Sequence, residues 1–214
     1  MSQNLNGYIT ECRRLLHDAN ANFWTDDELT DYINQARQRL VRDSGCLRSY
    51  QTTIAYANQE VYQFTAFPQG ANTMDIININ VIWGNTRIPL RYLPWTQFNA
   101  ELRFWQNYVG RPIAFSMYGP TSFYLAPVPD QDYSMELDTV ILPTDLTSAA
   151  PNTADEIPEP WTTPVAFYAC YKAKFKEQSY GEAEIFKQEY VRQAQSVLAT
   201  TYTRRMPNPY STPY

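Results

Sequence analysis

Residues able to do acid–base or nucleophilic chemistry are sparse in this chain, and most have another duty close at hand. The one histidine, His17, closes a helical pattern, where a cation favours the helix dipole. No Ser, Cys or Asp pattern accompanies it, as a catalytic role would require. Three groups of carboxylates stand out. Asp26, Asp27 and Glu28 fill the first turn of a capped helix, Asp130 and Asp132 border a turn, and Asp155, Glu156 and Glu159 lie in a proline-rich stretch. A paired-carboxylate hydrolase could draw two acids from these, since spacing in sequence does not fix distance in space. Nothing around them predicts a raised pKa. Cys12, Cys46 and Cys170 are odd in number and far apart, which indicates neither a zinc site nor a disulfide framework. Cys12 and Cys170 fit apolar helical patterns as small hydrophobes. With 7 Gly and no phosphate-binding loop, nucleotide chemistry has no cradle. The expectation is no catalytic residue, no metal and no cofactor: not an enzyme.

Composition points toward surfaces instead. The chain has 214 residues, 44% of them apolar, and a formal net charge of -5. That is enough apolar content for a globular core. The acidic balance disfavours sequence-independent adhesion to a phosphate backbone, though not a channel through which DNA slides. Tyr (17), Phe (10) and Trp (5) are plentiful. Tyr and Trp pair an apolar body with a polar handle and suit surfaces that become buried on association. Few and scattered cysteines favour a reducing, cytoplasmic origin. The polar start of the chain is unlike a signal peptide, and no run reaches the length of apolar residues that spans a bilayer, so no membrane partner is expected.

The elements that would carry such surfaces are legible from periodicity. Leu5, Tyr8, Ile9, Cys12, Leu15 and Leu16 keep helical spacing. Thr25-Asp-Asp-Glu28 reads as a capping box, with Phe23 or Trp24 stapling onto Leu29. The helix continues through Ile33, Ala36 and Leu40 to Ser44-Gly45. Arg37, Arg39 and Arg42 read as lying mostly off its stripe, hence as a solvated face. Lys172, Lys174 and Lys176 are read the same way. Tyr50, Thr52, Ile54 and Tyr56 alternate, and Asn58-Gln59 then turns toward Val61, Tyr62 and Phe64: a hairpin signal. A strand over 76–82 turns at Gly84-Asn85 and returns over 86–93. Pro94 opens a short helix with Trp95, Phe98, Leu102 and Trp105. Strands are expected over 113–118, 122–128 and 133–142. Residues 143–160 read as a linker or ordered surface loop. Thr163-Pro164 offers a cap and a first-turn proline for a helix through Val165, Phe167, Tyr168, Cys170, Tyr171 and Phe175, and a last helix runs over about 182–202.

The fold class expected is therefore α+β. N- and C-terminal helix pairs (1–46 and 163–202) form a four-helix bundle. A β-rich insertion with one short helix (47–145) precedes a linker loop (146–162), and an extended tail (203–214) has no apolar period.

Several segments, in order, resemble the head-to-tail adaptor (head-completion or connector) proteins of tailed bacteriophages. Phe23-Trp-Thr-Asp-Asp-Glu-Leu-Thr-Asp-Tyr-Ile-Asn34 is similar to that family's second-helix start. Ile88-Pro-Leu-Arg-Tyr-Leu-Pro-Trp95, Gly110-Arg-Pro112, Ala114-Phe-Ser-Met-Tyr118 and Phe123-Tyr-Leu-Ala-Pro-Val-Pro129 are similar to its β insertion. Glu156-Ile-Pro-Glu-Pro-Trp161 is similar to its return into the helices. The resemblance implies a virion protein at the head–tail junction, assembled in the host cytoplasm. It implies a ring, commonly dodecameric, under the portal protein, extending the DNA channel without binding DNA specifically. Downstream tail proteins, nozzle or fibre, would attach to it.

On that reading the tail residues Arg204, Arg205, Met206, Pro207, Pro209, Tyr210, Pro213 and Tyr214 dock on the portal. Trp83, Tyr92, Trp95 and Trp105 lie at an interface with neighbouring subunits or tail proteins, or else fill a small β core. The alternatives are a carbohydrate-binding or adhesion module, in which exposed aromatics stack on sugars, and a carboxylate-dependent tail hydrolase.

Overall fold

The computed structural model describes residues 3–103 and 108–203, with only the backbone of residues 202 and 203. The chain divides into two compact units: residues 1–47 with 142–214, and residues 48–141. Together the described residues form an α+β protein with five helices and two sheets.

The first unit is helical. Helix α1 (Leu5–Leu16) buries Leu5, Tyr8, Cys12 and Leu16. Its N-terminus is capped by Asn4, whose side chain accepts from the Gly7 amide at 2.8 Å. It ends on His17 in the left-handed conformation. The following loop is organised by Asp18, which is buried and accepts backbone amides from Asn22, Phe23 and Trp24. Burial alone would raise the Asp18 carboxyl, but these amides and Arg13 hold it below the usual carboxylate range. Helix α2 (Asp26–Ser44) starts where the capping box places it: the Thr25 hydroxyl accepts from the Glu28 amide at 3.2 Å. Of the two staple candidates, Trp24 is buried and packs edge-on to Tyr32, whereas Phe23 is 82% exposed.

Helices α4 (Thr163–Lys176) and α5 (Tyr180–Thr203) return after the 142–162 loop. Helix α4 packs against α1, α2 and α5, and α2 also meets α1 and α5. Pro164 sits in the first turn of α4 as expected, but Thr163 does not cap it. Thr162 holds the cap position without a side-chain bond, and the Thr163 hydroxyl turns to the Pro160 carbonyl. The buried positions of α4 are mostly small: Ala166, Ala169, Cys170 and Ala173, with Val165. Small side chains let three helices approach α4 closely, which pushes its larger rings, Phe167, Tyr168 and Tyr171, to half-buried positions and leaves Phe175 exposed. The Cys170 thiol points to the Cys12 carbonyl, and the Cys12 thiol to that of Ala166. Both thiols are free and buried.

The second unit is a β-sandwich. One sheet has the order β1 (Arg48–Ala55), β8 (Tyr133–Ile141), β3 (Thr73–Trp83), β4 (Thr86–Pro89). The other has the order β2 (Val61–Gln63), β7 (Ser122–Ala126), β6 (Ala114–Met117), β5 (Arg91–Tyr92). Their inner faces share one core that includes Ile79, Val81, Leu137, Phe115, Phe123 and Leu125. A short helix, α3 (Trp95–Glu101), buries Phe98 in a satellite cluster with Leu93, Ala114 and Ala126.

Two strand expectations are corrected. The 50–64 segment is not a hairpin: β1 pairs with β8 and β2 with β7, so the chain crosses between sheets at Asn58. The expected return strand over 86–93 is two strands in different sheets. Its first part pairs antiparallel with β3, its second parallel with β6. Between them the Leu90 side chain enters the core while its amide still bonds Ile79 at 2.8 Å.

Tyr62 in this core has its phenol pushed up to about 12, first by burial, with the Asp132 charge adding to it. Its raised value means the neutral form stabilises the fold fully below the ordinary phenol value of about 10. That contribution disappears as pH climbs from about 10 toward 12. The thermal midpoint of the sandwich should fall over this window. In Tyr62→Phe the fall should be shallower, and an unchanged slope would contradict the assignment.

Candidate assembly surfaces

The helical unit contains a buried polar clasp that the sequence reading missed. Arg37 is 1% exposed and lies on the buried side of α2, four residues after Ile33 and three before Leu40. Its Nε and Nη2 donate to the Asp155 carboxylate, the latter at 2.6 Å. Its Nη1 donates to the Thr144 carbonyl at 2.7 Å. The Tyr8 hydroxyl donates to Asp155 Oδ2 at 2.6 Å, and the Ile157 amide donates to Oδ1. Burial first, then the Asp155 charge, pushes the Tyr8 phenol far up, so it stays a proton donor. Asn34 adds a reciprocal pair with the Leu146 backbone, both bonds at 2.9 Å. A charge taken out of water persists only when paired and fully hydrogen-bonded, and here both partners are.

The clasp corrects the solvated reading of Arg37; Arg39 and Arg42 do stand on the exposed side. It also shows the 142–162 segment as an ordered loop whose Asp155 is inserted among helices. Glu156 binds the Thr144 amide and hydroxyl. Asp130 receives the Tyr133 hydroxyl, and Asp132 the Ala57 amide. These carboxylates therefore hold turns and loops. Among the described residues no three His, Cys, Asp or Glu side chains are grouped so as to hold a metal.

Lys174 and Lys176 of α4 are engaged as well. Lys174 bridges Glu177 and Glu182 at 3.0 and 2.9 Å. Lys176 pairs with Glu28 and lies 5.7 Å over the Trp24 ring. Thus the segment 23–34, singled out by its pattern, has a use for most of its members. Trp24 packs, Thr25 caps, Glu28 ties α2 to α4, Leu29 and Ile33 fill the core, and Asn34 grips the loop.

In the sandwich, Trp83 ends β3 with half its surface exposed, and the Arg111 guanidinium lies 4.8 Å from its ring. Tyr92 is also more than half exposed and packs edge-on to Phe115. Trp95 is half-buried, 4.5 Å from Tyr118 and 4.7 Å from Tyr124, with Arg103 stacked over it. Trp95 thus joins a satellite core, while Trp83 and Tyr92 face outward with separate partners. Trp105 and the tail residues 204–214 lie outside the described residues. The sequence reading did not single out Tyr50, Ile54 and Tyr56 as exposed, yet all three are. The apolar alternation of β1 points outward, while Gln51 and Ala55 point in. Phe175, Tyr180 and Ile185 on the helical unit are exposed too.

The helical unit is interrupted in sequence by the β-sandwich, and both carry dispersed exposed rings. The chain belongs to the SU10 adaptor protein family, whose model matches residues 3–213. It is a structural phage adaptor of the head-to-tail class. No curated protein matches the chain. No helix among the described residues is long and apolar enough to cross a membrane.

Proposed function

We propose that this chain forms a ring under the portal of the phage head, commonly dodecameric, extends the DNA channel and presents a platform for nozzle or fibre proteins. The observation that carries the reading is the family match over residues 3–213, which runs into the C-terminal segment. On this reading the four long helices act as a bundle, and the β unit offers the platform. Arg204, Arg205, Tyr210 and Tyr214 supply cationic and aromatic anchors for the portal, since Arg and Tyr are the residue types that concentrate binding energy. Prolines 207, 209 and 213 reduce the freedom lost on docking. Trp83 and Tyr92, with Trp95 and Trp105 nearby in sequence, serve contacts between subunits or with tail proteins. The net charge of -5 per chain, multiplied around a ring, keeps passing DNA from adhering. The protein needs no cofactor and performs no chemistry in this role.

Deletion of residues 206–214 should abolish co-sedimentation of the chain with portal-bearing heads while leaving its circular dichroism unchanged. Undiminished co-sedimentation would remove the tail from the docking role.

A further inference from the structure

The helical unit carries an open groove of about 370 Å³ between the start of α4 and the last turns of α5. One wall, at the start of α4, is mostly apolar, with Pro160, Trp161 and Pro164 beside Thr163. The other, on α5, is mostly polar, with Arg192, Gln193, Ser196 and Thr200 around Val197. An indole beside prolines, faced by hydroxyls and an amide, is the chemistry that receives an extended proline-bearing strand. The ring packs on prolyl faces, and the polar wall bonds the carbonyls that such a backbone leaves free.

A segment of that kind belongs to this chain. Residues 204–214 contain Pro207, Pro209, Tyr210, Pro213 and Tyr214, and they leave α5 at Thr203, three residues beyond Thr200 of the groove. The groove runs back as far as Arg192, about 17 Å along the helix from Thr203 at the α-helical rise. Extended, residues 204–214 reach roughly 36 Å, so the first few can reverse direction and the rest still cover the groove. Tethering gives such a segment an effective concentration on the order of millimolar, which populates even a weak contact.

We propose that in the free subunit residues 207–214 lie back along α5 in this groove, between the Trp161–Pro164 wall and the Ser196–Thr200 wall. The occupant is the chain's own segment, not a neighbour's. The inference does not depend on the portal role. If both hold, a portal subunit displaces the segment from its groove, and the soluble chain keeps its anchors covered until then.

Cross-linking tests it on the full-length chain. Ser196→Cys with Ser211→Cys places thiols in the groove and the tail, and Thr10→Cys with Ser211→Cys is the reference on exposed α1. At low micromolar protein with oxidised glutathione, the groove pair should form its intramolecular disulfide about tenfold faster than the reference. Pro207→Gly, Pro209→Gly and Pro213→Gly together should bring the groove rate down to the reference rate, with the helical circular dichroism signal of the chain unchanged. Equal rates for the two pairs would overturn the proposal, as would chain-to-chain disulfides in place of intramolecular ones. Neither result bears on portal co-sedimentation of the tail deletion, so the two readings fail separately.

Discussion

Replacing Arg37 with alanine is expected to destabilise the helical unit by about 3–5 kcal/mol, because it leaves the Asp155 carboxylate buried without its charge partner. The reason is visible in how much converges on Asp155: two guanidinium nitrogens, the Tyr8 hydroxyl and the Ile157 amide. Loss of Arg37 also strips the Thr144 carbonyl of its donor. Tyr8→Phe removes one hydrogen bond to a charged group but leaves the ion pair, and should cost about 2 kcal/mol. The double variant Arg37→Ala/Asp155→Ala should cost less than the sum of the two single changes, since each then leaves no charge stranded. Denaturant midpoints followed by the helical circular dichroism signal check all three. A midpoint for Arg37→Ala close to that of the native chain would mean that Asp155 finds water or another donor.

Gly70→Ala should be comparably damaging to the sandwich. The residue opens the short 3-10 turn Gly70–Asn72, and a methyl there would overlap the backbone carbonyl of Phe64. Backbone cannot swing aside as a side chain can, so Phe64 must move. It is fully buried, and its neighbour Phe67 packs 5.8 Å from Phe123 in the core. Overpacking of this kind costs about 3 kcal/mol or more, which outweighs the fraction of a kcal/mol that alanine gains by restricting the unfolded chain. For a unit of this size the thermal midpoint should drop by roughly 10–20 °C. Gly84→Ala makes the useful comparison: nothing lies near its added methyl, but its φ of +59° is left-handed, so it should cost only about 1–2 kcal/mol. Equal effects at the two sites would show that backbone conformation, not overlap with Phe64, governs the turn.

What could be read in the sequence was local. The Thr25 cap, the buried stripe from Leu29 to Leu40, and strands β6, β7 and β8 follow from spacing over a few residues, and each lies close to where it was expected. What failed was long-range. Alternation at Tyr50–Tyr56 identifies a strand but not its partner, and β1 joins β8 far along the chain instead of turning back onto β2. It also leaves open which face is inward, and β1 presents Tyr50 and Ile54 outward because its sandwich core is filled through Ala55 and the inner faces of its neighbours.

Arg37 is different, since its signal was present. A position four after Ile33 and three before Leu40 is on the stripe by helical geometry. Its buried partner, Asp155, stands in a proline-rich stretch whose composition suggests a surface loop, so nothing local in the sequence pairs the charge. In α4, ring-bearing positions looked like the core face, yet alanines fill it, because a helix with three neighbours needs close approach more than bulk. The candidate surfaces divide likewise: Trp83 and Tyr92 are outward, Trp95 is shared with a satellite cluster, and the tail and Trp105 lie outside the described residues.

The proposed role requires above all that this chain add to a portal as a ring. Purified portal rings mixed with the full-length chain and imaged by electron microscopy test that directly. The expected result is a rotationally symmetric layer added below the portal, one subunit after another around the axis, with the central channel still open. Portal rings that remain bare at saturating chain, or that gain scattered single subunits without a closed layer, would contradict it.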